Sequence, residues 1–461
     1  MIEVLISLAF YASTAITFLI LLLPSQYEPR RASDSKQNAS SDSKTRIQIL
    51  VLGDIGRSPR MQYHALSVAK HGGQVDIIGY HESELHPDIS SSAQITIVPI
   101  PPHPAFLQTS NKLLFLLFAP LKIIFQILSL WRCLAYQTEP AKWLLVQNPP
   151  SIPTLAIVSL VCFLRHTHLV VDWHNFGYSI LALKLGDSHP VVRFSEWFER
   201  VFGRYAWAHL CVTEAMQSVL KKDFALEAPI FPLHDRPASH LQPIPDTQMR
   251  REFINSLPET ASAKSALGTE DFRVLVSSTS WTPDEDFSLL IDALCKYSKF
   301  ATTSKPSLPP ILAIITGKGP QKEMYLKKIS NLEKAEHLQK VSIRTAWLST
   351  ENYAKLLASA SLGVSLHRSS SGVDLPMKVV DMFGAGLPVV GWNRFEAWPE
   401  LVTEGVNGRG FGSVDELVEQ LVDLFGDSKK LEKLRTGSLQ ESERRWDDEW
   451  DPIAGKFLGL L

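Results

Sequence analysis

Residues 46–80 read RIQILVLGDIGRSPRMQYHALSVAKHGGQVDIIGY, and the apolar pattern changes period within them. IQILVL is an unbroken apolar run of strand length, as a strand covered on both faces of a parallel sheet requires. GDIGRSPR turns the chain, Tyr63, Leu66 and Val68 mark an amphipathic helix, and Gly72 and Gly73 end it. VDIIGY is the next strand. Strand, loop, helix and strand make one β-α-β unit, the repeating element of a doubly wound sheet.

The alternation continues outward. ITIVPI (95–100), KWLLVQN (142–148), THLVVDWHN (167–175) and AHLCVTE (208–214) are strand-like, with helical segments between several of them. After a proline-rich stretch containing APIFPLHDRP the pattern restarts with DFRVLVSSTSWTPDEDFSLLIDAL (271–294), PPILAIITGKGP (309–320), VSIRTAWLS (341–349) and SLGVSLHRSS (361–370), and it closes on LPVV at 387–390. The reading is an α/β chain of two Rossmann-like domains facing a cleft, with ligands at the C-terminal ends of both sets of strands. The expected bounds are 46–240 for the first domain, 241–268 for a linker, 269–430 for the second domain and 431–461 for a helical segment returning to the first.

Residues 1–23, MIEVLISLAFYASTAITFLILLL, hold one charge, Glu3, and form a helix long enough for a bilayer core of about 30 Å. They lack the basic start and small-residue cleavage site of a secretory signal, so they read as a retained transmembrane anchor. Arg30, Arg31, Lys36 and Lys44 lie beyond it and put the body of the chain in the cytosol, with 24–45 as a flexible tether. The remaining length of this 461-residue chain is ample for two cores. With 46 Lys+Arg against 48 Asp+Glu, the net charge of −2 lacks the basic bias of a nucleic-acid binder, and no nucleic acid is expected as a partner. Cys133, Cys162, Cys211 and Cys295 are far apart, without metal-ligand spacing, and suit a reducing compartment. NKLLFLLFAPLKIIFQILSLW (111–131) also has the length of a span, but Pro120, Lys122 and Gln126 interrupt it; core burial and an in-plane membrane helix both fit. IPTLAIVSLVCFLRH (152–166) reads as a buried helix covering the sheet.

The first strand is not followed by GxGxxG, which disfavours a nicotinamide dehydrogenase, and GxxxxGK[ST], GxSxG and HExxH are absent as well. The strand ends carry GDIGRSPR, DWHNFGY, STSWTPDED, TGKGP and SSSGVDLPMK. These loops are rich in Gly, Ser, Arg and Lys, which suits them to hold a diphosphate without a metal. In the last, Asp374 reads as the N-cap of a helix with Pro376 in its first turn, running to about Gly384 or Gly386. Asp374, Lys378 and Asp381 then share one stripe, a spacing that an ordinary solvated salt-bridge ladder also has.

Two Rossmann-like domains with an acid-bearing helix, a glycine and a Pro-Val-Val strand resemble the GT-B glycosyltransferases. More narrowly, LGDIGRSPRMQYHALSVAKHG, VQNPPSIPTLAI, VVDWHNFGYSIL, FGRYAWAHLCVTEAM, STSWTPDEDFSLLIDAL and SSGVDLPMKVVDMFGAGLPV resemble the chitobiosyldiphosphodolichol β-mannosyltransferase family, in order, from about residue 46 onward. The resemblance implies GDP-mannose as donor, bound by the C-terminal domain, and dolichyl-diphosphate chitobiose as acceptor, bound by the N-terminal one. It implies an inverting transfer at the cytosolic face of the endoplasmic reticulum membrane, on a single-pass protein beside other lipid-linked oligosaccharide mannosyltransferases. No cofactor is required by such a fold; stimulation by a divalent cation stays open. Asp381 matches the second glutamate of the GT-B glutamate pair, which contacts ribose; the first falls on Val373, with Asp374 one position later. The Arg and Lys that many GT-B enzymes carry after the first strand of the second domain fall on Ser280 and Glu285 and are lost. Lys318 and Lys378 are the substitutes for neutralising a diphosphate, with Gly317, Ser371 and Gly372 around it and Arg57 and Arg60 supplied by the first domain. Gly53, Gly56 and Asn175 are assigned to the acceptor side.

An inverting transfer needs one base. His174, at the end of THLVVD, is one candidate because histidine is the commonest general base, and Asp54 in the first loop is the rival; an interdomain hydrogen bond and a turn contact are their structural alternatives. Asp284-Glu285-Asp286 has the form of a metal-binding DxD but is read as acidic charge at a helix start. His64 and His71 are expected at the surface and no metal site is expected. Competing readings are another anchored GT-B glycosyltransferase with a different sugar nucleotide or lipid acceptor, a sugar-nucleotide epimerase, and a non-catalytic scaffold subunit.

Overall fold

The computed structural model describes residues 2–21, 23–24, 45–107, 112–268, 271–282 and 285–461. The expected tether, with Arg30, Arg31, Lys36 and Lys44, lies outside the described residues, as does Asp284. The chain forms two compact units: Met1–Cys211, Gln217–Leu233 and Trp450–Leu461 make the first, Val212–Met216 and His234–Glu449 the second.

Unit 1 is built on seven parallel strands: β1 (Arg46–Asp54), β2 (Gln74–Tyr80), β3 (Ile95–Pro99), β4 (Trp143–Asn148), β5 (His168–Trp173), β6 (Ala208–Cys211) and β7 (Ile230–Pro232). Their order is β3-β2-β1-β4-β5-β6-β7. Ile47, Ile49, Leu50, Val146, Val170 and Val171 are fully buried, so the central strands are apolar on both faces, as a sheet sandwiched by helices demands. The order reverses between β1 and β4. The connections leaving those two strands run to opposite faces, and the crevice they leave lies at the strand C-termini, beside the GDIGRSPR and NPPS loops.

Unit 2 repeats the plan with β8 (Arg273–Ser278), β9 (Ile311–Thr316), β10 (Val341–Ala346), β11 (Leu362–Ser365), β12 (Val389–Trp392) and β13 (Gly408–Phe411). Their order is β10-β9-β8-β11-β12-β13, and its reversal between β8 and β11 brings STSWTPDED and SSSGVDLPMK together. Trp281, Phe287, Leu290, Leu294 and Tyr297 pack with Ile311, Ile315 and Phe411 in one core.

Sequence period found the strands that are long and apolar. It missed β7, whose Ile-Phe-Pro lies in the proline-rich stretch, and β13, whose Gly-Arg-Gly-Phe carries little strand propensity and is recruited by pairing with β12. The expected linker over 241–268 is instead two helices of unit 2, Thr247–Ser256 and Pro258–Leu267. The return to unit 1 begins at Trp450 rather than at 431.

The N-terminal helix Ile2–Leu21 has 20 residues, with Val4, Leu8, Phe10 and Tyr11 exposed. Its described apolar stretch is Ile6–Phe18. Among the described residues the helix long and apolar enough to cross a membrane is instead Phe118–Gln137, of which 28% is buried. This corrects the placing of the span at 1–23 alone: the 111–131 segment runs on as helix through Pro120, and Lys122 and Arg132 are the charges within that window. Leu121, Ile124 and Leu128 lie on its exposed side. The helix Thr154–Arg165 buries Leu155, Val158 and Val161 against the sheet as expected but leaves Leu160 and Phe163 exposed.

Leu294 lies in the helix Ser288–Thr303 and is fully buried in the unit 2 core. Leu294→Ala is expected to cost about 2–5 kcal/mol. Urea unfolding checks this; an unchanged midpoint for the transition that includes unit 2 would contradict it.

Candidate active site

In unit 2 the loop after β8 is organised by a residue that the sequence reading counted as a loss. Glu285 is buried, and its carboxylate accepts hydrogen bonds from Thr279 Oγ1 and Ser280 N–H, both at 2.6 Å. Its other oxygen is ion-paired with Lys378 Nζ. Glu285 therefore does not decorate a helix start. It closes its own loop and holds the lysine in place, while Asp286 accepts from Ser288 N–H at 3.2 Å. Lys378 keeps about a quarter of its side chain exposed (26%), so the ammonium remains accessible while anchored.

The loop after β9 comes too close for any side chain. A Cβ on Gly317, which has φ +129°, would lie 1.8 Å from the Thr279 carbonyl oxygen. Glycine is the residue that accepts both the dihedral and the approach. Trp281 Nε1 donates to the Gly317 carbonyl at 3.3 Å, and Lys318 Nζ sits 3.8 Å over the Trp347 ring. Lys318 is thus held by a cation–π contact.

The stripe of Asp374, Lys378 and Asp381 is split three ways. Asp374 is not the N-cap: the helix is Met377–Gly384, with Pro376 at its cap position and no side-chain cap bond. Asp374 instead turns back into the preceding loop, 3.1 Å from His367 Nε2, and accepts from Ser369 Oγ and from Ser371 Oγ. Burial raises its pKa, but His367 and Ser369 outweigh this and hold it below the usual carboxylate range. Gly372 fixes the other side of the loop through its carbonyl, which accepts from Glu396 N–H at 2.8 Å. Asp381 has no side-chain hydrogen-bond partner among the described residues, and burial pushes its pKa up to about 7.

In unit 1 the rival bases separate. Asp54 Oδ1 accepts from the backbone N–H groups of Gly56, Glu82 and Ser83 at 3.3, 3.1 and 3.2 Å. Its Oδ2 lies 3.4 Å from Arg57 Nε. Despite partial burial, these bonds lower its pKa. A carboxylate tied to three amides is a poor proton acceptor and a good loop brace. Gly56 permits that brace, since a Cβ there would be 2.7 Å from the Glu84 carbonyl oxygen. Gly53 has no such crowding, and Arg57 is 80% exposed.

His174 is oriented. Its Nε2 is 2.8 Å from Asp172 Oδ2, and its backbone N–H donates to the Asn148 carbonyl at the end of β4. Asp172 is fully buried and receives Arg60 in a two-point bond at 2.8 and 2.9 Å, with His64 Nε2 at 3.3 Å. Burial would raise its pKa; Arg60, then His174, hold it well below the usual range. With Nε2–H directed at Asp172, Nδ1 is the nitrogen left to accept a proton. Asn175 does not reach outward: its Oδ1 accepts from Phe176 N–H at 2.8 Å and Ser179 Oγ at 3.3 Å, bracing the following turn. Two expectations fail. Arg60 is 5% exposed and also bonded to the Leu233 carbonyl, so it is not a free phosphate arm. His64 is 1% exposed, with Nδ1 accepting from Trp450 Nε1 at 2.9 Å, so it is a core residue; burial lowers its pKa.

Asp172, Glu285 and His367 were missed as site residues. The charged Asp172 inside the otherwise apolar THLVVDW strand was the available signal; Glu285 and His367 had none.

The comparisons with known proteins agree with this architecture. The family described as glycosyl transferases group 1 matches residues 273–427. Sucrose-phosphate synthase from Thermosynechococcus elongatus superposes with a TM-score of 0.61 at 12% identity, covering 90% of this chain and 97% of that one. The chain is a glycosyltransferase of the GT-B fold. A protein of Arthroderma benhamiae named chitobiosyldiphosphodolichol beta-mannosyltransferase is 50% identical over 96% of both chains. An Arabidopsis thaliana protein named UDP-glycosyltransferase TURAN is 40% identical over 90% of this chain and 97% of its own. The chain belongs to the chitobiosyldiphosphodolichol beta-mannosyltransferase family.

Asp381 makes a pH prediction. Its folded pKa of about 7 lies above the unfolded value of 3.8, so the folded state holds the extra proton between them. Stability is then lost as pH rises through that window and is flat above it. Asp381→Asn is expected to melt at a higher temperature than the parent at pH 8, with the gap closing toward pH 4. A gap independent of pH would contradict the assignment.

Proposed function

We propose that the chain transfers mannose from GDP-mannose to dolichyl-diphosphate chitobiose with inversion, forming a β-mannosyl linkage. The observation that carries this reading is the 50% identity, over 96% of both chains, to a protein named for that acceptor and that linkage. The donor base is the finer part, since another relative is named for a UDP-sugar.

In the proposed reaction the acceptor hydroxyl loses its proton to His174 Nδ1 as its oxygen bonds to mannose C1. The bond from C1 to the diphosphate oxygen breaks, and GDP leaves with the electron pair. Asp172 stabilises the imidazolium that forms, and a fixed tautomer raises the fraction of productive encounters. Lys378, held by Glu285, offsets the charge growing on the leaving diphosphate, with Lys318 on the neighbouring loop. Asp381, whose pKa burial raises to about 7, is suited to hydrogen-bond a ribose hydroxyl. This reading uses no metal; a divalent cation enters it as an activator to be tested. Dolichol chemistry places the work at a membrane. The exposed apolar side chains of the N-terminal helix and of Phe118–Gln137 support attachment to the endoplasmic reticulum, with the catalytic units in the cytosol beside other mannosyltransferases of the same lipid-linked chain.

The test is mannose transfer to a chitobiose-diphosphate-phytanyl acceptor by the full chain, with GDP-mannose and UDP-sugars in parallel. Turnover with GDP-mannose is expected. His174→Ala should lower kcat by about 10²–10⁴, while Asp54→Ala should be felt first in stability. Lys378→Ala should lose transfer. Turnover with a UDP-sugar alone would overturn the donor, and a larger kcat loss in Asp54→Ala than in His174→Ala would exchange the base.

A further inference from the structure

The end of the unit 2 sheet away from these loops, where its strands begin, carries a polar cavity. Its volume is about 500 Å³, and Arg250, Arg251, Arg273 and Arg435 line it together with Ser359 and Ser361. Arg250 and Arg251 come from the helix Thr247–Ser256 and Arg273 opens β8. Ser359 ends the helix Thr350–Ser359, and Arg435 belongs to the helix Ser428–Ser442. Four separate elements thus contribute to one site.

Arg435 is fixed by donating to the Ala360 and Ala358 carbonyls at 3.1 and 3.0 Å, which also caps the end of the helix Thr350–Ser359. Arg250 donates from Nη2 to Thr247 Oγ1 at 2.9 Å. The carboxylates of Asp271 and Glu432 also line the cavity, and the charge of Glu432 acts on Arg435 in the sense opposite to that of Arg250. Arg250 Nε and Ser359 Oγ are buried without a hydrogen-bond partner. Burial, and then the charge of Arg250, push the pKa of Arg435 down to about 10 against the opposing charge of Glu432.

A bland reading exists: Arg435 is a helix cap and the other arginines are solvated. It accounts for the two carbonyl bonds of Arg435. It does not account for buried, unsatisfied polar atoms in Arg250 and Ser359, since such groups cost free energy unless something binds them. An anion would satisfy them and relieve the repulsion, and planar guanidiniums match the paired oxygens of a phosphate group.

We propose that this cavity binds a phosphate-type anion, a site separate from the loops that carry Lys378 and Asp381. Its ligand would join the start of β8 to three helices and stabilise unit 2. The anion is either a soluble phosphate compound or an anionic lipid headgroup, and both have the same chemistry here.

The experiment follows thermal unfolding of the full chain at constant ionic strength. Inorganic phosphate is titrated in one arm and phosphatidylcholine vesicles with and without phosphatidic acid in the other. The parent is expected to gain melting temperature in at least one arm, and which arm responds identifies the source. In Arg251→Gln/Arg273→Gln the apparent affinity should fall about tenfold or more. Arg251→Gln alone, at an exposed position, serves if the double variant does not fold and should fall in the same direction. No response in either arm would overturn the proposal. So would an equal response in parent and variants, which places the anion elsewhere, or an equal response to chloride.

Discussion

The candidate catalytic loops of unit 1 depend on a single buried carboxylate. Asp172 sits at the end of a strand between apolar neighbours, and it is tolerable there because Arg60 meets it at two points and two histidines share the remainder. Removing one partner from such an arrangement leaves an uncompensated charge in the interior, a loss of about 3–5 kcal/mol. That cost explains the geometry around it. Arg60 must come inward from its helix, His64 must be buried, and Trp450, on the returning C-terminal segment, must reach His64 Nδ1. His174 is the one member of the group that keeps access to solvent (23%), and its orientation is inherited from the rest.

Unit 2 solves the complementary problem, that of presenting positive charge. A lysine on a free surface would sample many rotamers, and holding it costs side-chain entropy. Here Glu285 meets that cost, itself braced by Thr279 and Ser280. The pair Glu285–Lys378 joins the β8 loop to the helix Met377–Gly384. Both ends of the pair lie in one loop cluster, which the strand order β9-β8-β11 requires to be adjacent.

The fold was legible because its signals are local. Apolar runs of strand length, glycines at helix ends and the restart of the pattern near residue 271 specify two parallel sheets without any knowledge of contacts. Short elements escaped for the same reason: β13 has two glycines in four residues and exists as a strand only because β12 is beside it. Lys378, Asp381 and His174 stood out in the sequence because their loop compositions implied a task. Side chains were misread where a partner that loop composition does not name takes them up, near in sequence for Asp374 and far for Arg60. Asp374 has capping spacing but bonds backward to His367, and Arg60 has a phosphate-binding appearance but is spent on Asp172.

By itself, the sequence determined the class of fold and the family, because period, composition and motif order are properties of the chain. Tertiary structure alone decided which charged groups are free. Whether Asp54 is a base or a brace, or His64 a surface or a core residue, depends on what stands within about 3 Å of each, the reach of a hydrogen bond. Those neighbours are brought there by strand order, not by sequence spacing.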